Sequence, residues 1–219
     1  VVDEKRYFEP GEGYCVANVG GLPIGITICD DIWLPEPALA AARAGAQMLV
    51  NLNASPFHTG KADEREKTVA ERARENALPI VYVNLIGGQD ELVFDGGSFM
   101  LDADGQPVVR APAFQEGLYN VDLHSRDSRL VPVAGHVAGR QDEVASVYAA
   151  LVLGVRDYVD KNGFDGVVIG LSGGIDSALT LAIAVDALGA GRVEAVMMPS
   201  RYTLDMSIED ARLEAEALG

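Results

Sequence analysis

Short apolar blocks alternate with polar punctuation along the first half of the chain. Leu22–Ile28, Met48–Leu52 and Ile80–Ile86 are apolar runs of strand length, and the last is continuous enough for a strand buried on both faces. Between them the pattern predicts an alanine-rich helix from about Pro37 to Ala46 and a charged helix from Ala62 to Ala77. In the second helix Glu64, Lys67 and Glu71 supply a solvated side, Val69, Ala73 and Ala77 a buried one, and Pro79 ends it. Gly87-Gly88 is predicted to turn the chain into strands at Glu91–Phe94 and Gly97–Leu101. Asp102–Gly105 reads as a hairpin turn with Val108–Ala111 returning along it, and Leu118–Leu123 as a further strand.

From Ser125 to about Arg140 the periodicity fades, and Pro132, Gly135 and Gly139 interrupt it. Asp142–Lys161 then reads as an amphipathic helix with Val144, Val147, Leu151, Val155, Tyr158 and Val159 on one side. Val167–Leu171, Ala178–Leu188 and Val193–Met198 make a strand–helix–strand unit of the parallel-sheet kind, followed by a helix pattern at Ser207–Leu218. The chain is therefore expected to hold two α/β domains, residues 1–125 and 142–219, joined by a linker at 126–141, with no internal repeat.

Composition narrows the function classes. A hydrophobic share of 48% supports a packed core, and a formal net charge of −16 argues against nonspecific binding of nucleic acid, which needs a basic face. No apolar run approaches the roughly 20 residues of a membrane span, and no secretion signal opens the chain. The two cysteines, Cys15 and Cys29, lie in different contexts and need not pair, so a reduced cytoplasmic setting is the simplest expectation. Both ends read as cut. The chain opens in a charged loop without Met and stops as the Ser207–Leu218 pattern ends, so a piece of a larger protein is expected.

Two segments carry chemistry. The first is Gly170-Leu-Ser-Gly-Gly-Ile-Asp-Ser177, set between a strand and a helix. That order presents free backbone N–H groups at a helix N-terminus, a natural anion site. Gly173 and Gly174 allow close approach of a phosphate, Ser172 and Ser177 add hydroxyl donors, and Asp176 can hold a divalent cation bridging the same phosphates. No Gly-Lys-Ser/Thr follows, so this is not a Walker loop, nor is it a GxGxxG dinucleotide fingerprint. The second segment is Gly25-Ile-Thr-Ile-Cys29, followed at once by Asp30-Asp31-Ile-Trp-Leu-Pro-Glu36. A thiol at a strand end before a helix can gain acidity from nearby N–H groups, and from the residues alone Cys29 reads equally as a nucleophile or a buried structural thiol.

The loop at 170–177 resembles the SGGxDS loop of the ATP-pyrophosphatase (PP-loop) enzymes, which adenylate a substrate and release pyrophosphate. The Gly25–Glu36 stretch is similar to the nucleophile segment of the nitrilase (carbon–nitrogen hydrolase) superfamily. Asn51-Leu-Asn-Ala-Ser-Pro-Phe57 and Asp90-Glu-Leu-Val-Phe-Asp-Gly-Gly-Ser98 look like two further stretches of that fold. The two halves together resemble the glutamine-dependent NAD synthetase family, as do Tyr148–Val155, Gly163–Ser177 and Met198-Pro-Ser-Arg-Tyr-Thr203.

The resemblance implies part of a nitrilase-like α-β-β-α sandwich followed by part of a Rossmann-like PP-loop parallel-sheet domain. It implies that Cys29 attacks the carboxamide of glutamine and releases ammonia, with Ser55 and Lys61 holding the amino acid's polar head. The family's triad Glu and Lys are expected upstream of residue 1; Lys5 does not match the triad position, and Glu4 corresponds at most to an accessory carboxylate. On the other side, Gly170, Leu171, Ser172, Gly173, Gly174, Ile175, Asp176 and Ser177 would cradle ATP phosphates with Mg²⁺ on Asp176. Strand Val193–Met198 would end beside the adenine. Deamido-NAD would be the carboxylate substrate, its contacts expected beyond Gly219, and a homo-oligomer is expected for the full-length protein. His58, His124 and His136 match nothing catalytic and read as exposed loop residues, and Trp33 reads as packing beside the nucleophile turn. Two other readings stay open: an amidase fused to a PP-loop ligase for another carboxylate, and a piece without activity of its own.

Overall fold

The computed structural model describes residues 7–9, 11, 13–126 and 129–219, and the chain divides into two compact units. One comprises the described residues of Val1–Ser55, Gly60–Leu85 and Gly96–Arg140; the other comprises Pro56–Thr59, Ile86–Asp95 and Gln141–Gly219. Glu4 and Lys5 lie outside the described residues.

The first unit is built on strands β1 (Cys15–Val19), β2 (Leu22–Ile28), β3 (Met48–Asn53) and β4 (Ile80–Asn84), with helices α1 (Pro35–Arg43) and α2 (Lys61–Asn76) between them. In the second unit β5 (Ile86–Gln89) and β6 (Leu92–Asp95) pair antiparallel. Returning to the first, β7 (Phe99–Leu101) and β8 (Pro107–Arg110) complete a six-stranded sheet of order β1-β2-β3-β4-β7-β8. Its centre, β2-β3-β4, is parallel, and the other neighbours pair antiparallel. Parallel strands need helical crossovers, which α1 and α2 supply. Pro35 occupies the first turn of α1, where its missing N–H costs nothing. Ala77, in the left-handed region at φ 50, closes α2 just before Pro79.

Side-chain alternation assigns the two faces of this sheet. Leu49, Ile80, Tyr82, Phe99 and Leu101 pack with Ala38 and Ala41 of α1 and Val69 and Ala73 of α2. The alanines let the helices approach closely. On the opposite face Ile24, Met48, Met100 and Val109 pack with Leu130, Val121 and Leu123. Leu130 belongs to β10 (Arg129–Pro132), which pairs antiparallel with β9 (Leu123–Arg126). The interval expected as a linker thus contains β10 and the last residue of β9, and its Leu130 is core. Beyond it, Arg110 N–H donates to His136 O and Ala138 N–H to Arg110 O, both at 3.0 Å. Glu66 of α2 accepts a bidentate pair from Arg110 and a 2.7 Å bond from Arg140. Of Leu118–Leu123, expected as a strand, only Leu123 lies in one, at the start of β9.

The second unit contains α3 (Glu143–Lys161), β11 (Val167–Gly170), α4 (Ile175–Leu188), β12 (Val193–Val196) and α5 (Asp205–Leu218). β11 and β12 are parallel, and Leu171, Leu181 and Ala211 form the buried centre with Ile169 and Val185 around it. Asp142 caps α3 by accepting from Ala145 N–H at 2.8 Å. The buried side of α3 is not the expected one. Val144 is 80% exposed and Tyr158 52%, whereas Ala150 and Leu153 are buried; only Val159 is buried as expected. The reason is close approach to the β5–β6 hairpin: a Cβ on Gly88 would stand 3.2 Å from the Gly154 Cα, so small residues form that contact. Nor do Gly87 and Gly88 turn the chain; they pair in β5 with Phe94 and Val93, and the turn falls at Asp90-Glu91.

Asp157 fastens the hairpin to α3. Its carboxylate accepts from Gly88 N–H at 2.8 Å and pairs with Lys161 at 3.1 Å, while Lys161 also donates to Gly88 O at 2.6 Å. Burial alone would raise the Asp157 pKa, but the Gly88 N–H, Lys161 and Arg156 outweigh it and hold the carboxyl below its ordinary value. A carboxyl so lowered stabilises the fold above about pH 4, and the contribution is lost as pH falls through the lower folded value. Asp157→Asn is therefore expected to lower Tm at pH 7 and to leave it nearly unchanged near pH 2. Parallel melts showing the same loss at both pH values would refute this role.

Candidate functional site

The carboxyl ends of β2, β3 and β4 converge by register. Ile28 pairs with Leu52, Leu52 with Val83 and Asn53 with Asn84, so Cys29 follows directly beside these ends. Cys29 has φ 46, in the left-handed region, and begins a 3₁₀ turn, Cys29–Trp33. A side-chain-bearing residue in that region is strained, by about 1–3 kcal/mol, and such strain collects where a side chain must be aimed. The turn is braced on either side of the sulfur: Asp31 Oδ2 accepts from Ile28 N–H at 2.8 Å, and Ile32 is 1% exposed in the helix-side core. Cys29 is half-buried, its Sγ lies 3.9 Å from Asp30 Oδ1, and neither cysteine is in a disulfide.

On the helix-covered face, rows across β2, β3 and β4 change from apolar to polar toward these ends. Gly25 and Leu49 give way to Thr27 and Asn51, and then to Asn53 and Asn84. Buried amides are tolerable only when bonded. Asn51 donates to Thr27 Oγ1 at 2.9 Å, and Asn53 donates to Asn51 Oδ1 at 2.5 Å and to Val83 O at 3.3 Å. Asn84 Oδ1 accepts from Ser55 N–H at 2.9 Å, and its amide donates to Ser55 O and Gly96 O.

Ser55 is buried in this frame. Arg65 of α2, 2% exposed, donates from Nε to Ser55 Oγ at 3.1 Å and from a terminal nitrogen to Ser55 O at 2.8 Å. The hydroxyl keeps its own proton as a donor. Lys61, the first residue of α2, places its ammonium 4.0 Å from the Trp33 ring centroid and 2.9 Å from Glu64 Oε2. Lys61 thus stands against the turn that begins with Cys29. Asn53, Asn84 and Arg65 were not singled out from the sequence. For Asn84 the available signal was an amide inside the apolar run Ile80–Ile86, where Asn is disfavoured. The three histidines are exposed, His124 in β9 rather than in a loop.

In the second unit the loop after β11 is organised by its own serines. Gly170 ends β11, and Leu171 is buried with its N–H on Val196 O at 2.9 Å. Ser172 Oγ and Ser177 Oγ are 3.0 Å apart; Ser177 Oγ accepts from Ser172 N–H at 3.2 Å and donates to Gly174 O at 2.9 Å, and Ser172 Oγ accepts from Gly174 N–H at 3.3 Å. Ile175, 81% exposed, and Asp176 open α4, whose N-terminal N–H groups and dipole favour an anion. Among the described residues no cluster of three or more His, Cys, Asp or Glu could hold a metal by itself. Mg²⁺ takes one or two carboxylates and completes its shell with waters and substrate phosphate oxygens, so Asp176 beside this loop suits it.

Residues 1–132 match the carbon–nitrogen hydrolase family and residues 147–219 match NAD synthase. The chain belongs to the carbon–nitrogen hydrolase family. It is 44% identical over 219 residues to a glutamine-dependent NAD(+) synthetase of Acinetobacter baylyi, and 47% identical over 221 residues to one of Xylella fastidiosa. Both alignments take in 100% of this chain but 40% and 41% of those proteins, so it spans about two fifths of their length. Among solved structures, a glutamine-dependent NAD+ synthetase from Acinetobacter baumannii in complex with ADP superposes with a TM-score of 0.92 at 46% identity. That match covers 100% of this chain and 41% of the other. A synthetase from Cytophaga hutchinsonii, at 20% identity and TM-score 0.76, shares the fold.

Neighbouring glycines of the loop separate backbone demand from sequence bias. Gly173 has φ 78, and a Cβ there would fall 2.1 Å from Ser207 O of α5. Gly174 has φ −100, with nothing nearer to a Cβ than Ser172 Oγ at 3.5 Å. Gly173→Ala is expected to cost at least about 1–3 kcal/mol and Gly174→Ala under about 1 kcal/mol. Denaturant unfolding of the two variants checks this, and equal losses would contradict it.

Proposed function

We propose that this chain is part of a glutamine-hydrolysing NAD synthase, in which ammonia released at Cys29 amidates deamido-NAD activated at the 170–177 loop. The observation that carries the reading is the strained Cys29 elbow at the parallel strand ends, in a chain whose other unit has a serine-braced glycine loop opening a helix. The names of the relatives support the same reading. A sharp strand-to-turn elbow is how several hydrolase folds expose a nucleophile.

In the proposed reaction Cys29 Sγ, as thiolate, attacks the side-chain amide carbon of glutamine. The C–N bond breaks as a proton reaches the nitrogen, giving ammonia and a thioester, and water then releases glutamate and the thiol. Ser55, fixed by Arg65 and Asn84, and Lys61, fixed beside Trp33, would meet the α-amino and α-carboxylate groups. In the second unit ATP phosphates would lie on the N–H groups and hydroxyls of Ser172–Ser177, and the nicotinate carboxylate of deamido-NAD would attack the α-phosphorus with loss of pyrophosphate. Ammonia would then displace AMP. Mg²⁺ held at Asp176 would neutralise charge on the phosphates. We further read the full-length protein as a cytoplasmic homo-oligomer, on the resemblance; no described helix is long and apolar enough to cross a membrane.

The two sites separate by mutation of the full-length protein. Cys29→Ala is expected to remove glutamine-dependent NAD synthesis and to spare synthesis from free ammonia, whereas Asp176→Ala should abolish both. Steady-state rates with each nitrogen donor check this; loss of both activities in Cys29→Ala would assign the cysteine to structure. The isolated 219-residue chain is expected to hydrolyse glutamine about 10²–10⁴-fold slower than the full-length protein, because the triad Glu and Lys are expected upstream.

A further inference from the structure

Trp33 closes the five-residue 3₁₀ turn that Cys29 opens. One short, braced element therefore carries the thiol at one end and, at the other, the ring that faces the Lys61 ammonium at 4.0 Å. An ammonium has three N–H donors. Glu64 takes one at 2.9 Å and the ring face takes the direction of a second, which leaves one for a ligand. The Lys61 side chain is 21% exposed and Glu64 54%, so water screens the Glu64 charge and the ammonium keeps a net pull on an anion. An untethered lysine would spend rotamer freedom on each encounter, and the ring removes much of that cost beforehand.

We propose that Trp33 is a positioning residue that holds Lys61 at a fixed reach from Cys29 and so selects amides bearing a carboxylate at the far end of the side chain. This rests on the reading that Cys29 attacks a carboxamide and Lys61 meets the α-carboxylate. It departs from the sequence expectation that Trp33 only packs. Trp33 does pack against the helix-side core, and a packing role alone makes a different prediction: an aliphatic residue of similar bulk should serve as well as an aromatic one.

The test is glutamine hydrolysis by the full-length protein with Trp33→Phe, Trp33→Leu, Lys61→Met and the Leu/Met double variant. L-Glutamine and L-glutamine methyl ester, whose carboxylate is masked, serve as the two substrates. Trp33→Leu is expected to raise the glutamine KM about tenfold, with kcat within about threefold, and Trp33→Phe to fall between. The ester should respond little to either, and Trp33→Leu should add no further loss to Lys61→Met. Equal effects on ester and glutamine, or equal behaviour of the Phe and Leu variants, would overturn the proposal, as would a fall in kcat at constant KM. Should Trp33→Leu fail to fold, the Phe variant with both substrates decides alone. If the unmodified protein hydrolyses no glutamine, the functional reading fails at its root, a result distinct from a normal enzyme indifferent to Trp33.

Discussion

The parallel register of β2, β3 and β4 is the constraint on which the first unit rests. It places three strand ends side by side and, through the two-residue alternation of side chains, decides which residues share the helix-covered face. A one-residue slip of β3 would send Asn51 and Asn53 to the face now formed by Met48 and Val50, and Leu49 out of the helix-side core. Apolar rows fix the register at the amino ends, and the polar row at the carboxyl ends can form only in that register. Stability and site geometry are therefore specified by the same pairing.

The polar row shows how amides and a hydroxyl are accommodated inside a hydrophobic layer. Thr27, Asn51 and Asn84 are each nearly inaccessible, and each has a bonded neighbour. Arg65 extends the scheme by crossing from α2 to both the hydroxyl and the carbonyl of Ser55. Ser55 thus sits in a preset orientation rather than in a loose turn before Pro56. The Glu66–Arg110–Arg140 group does similar work on the outer side of α2, where it fastens the end of the first unit's chain.

What could be read from the sequence follows the range of the interactions. The 170–177 loop was legible because strand, glycine turn and helix cap are local, and the hydrogen bonds of its two serines stay within the loop. β2, β3 and the helix pattern of α2 were legible from periodicity for the same reason. The hairpin was not. Gly87 and Gly88 read as a turn, yet they are strand residues because α3 comes so close that side chains would collide with Asp157 and Gly154. Likewise α3 buries Ala150, Leu153 and Val159 and leaves Val144 and Tyr158 exposed. β10 was hidden inside an aperiodic stretch because only tertiary contact makes Leu130 core. The partnership of Trp33 with Lys61 joins positions whose proximity follows from strand register, which no local pattern reveals.

The two units solve one geometric problem in opposite ways. Each ends a parallel strand, bends the backbone sharply through the left-handed region and enters a helix or 3₁₀ turn. At Gly173 the bend needs no side chain, since Ser207 O occupies the space where a Cβ would lie, and glycine adopts φ 78 without penalty. At Cys29 the bend sits at a residue with a side chain, and a φ of 46 is retained at a cost. The burial of Ile32 and the bond from Ile28 N–H to Asp31 offset that cost on either side of the residue. Strain kept at a residue where glycine would relax the backbone accords with the nucleophile role proposed for Cys29, which needs a sulfur at the bend.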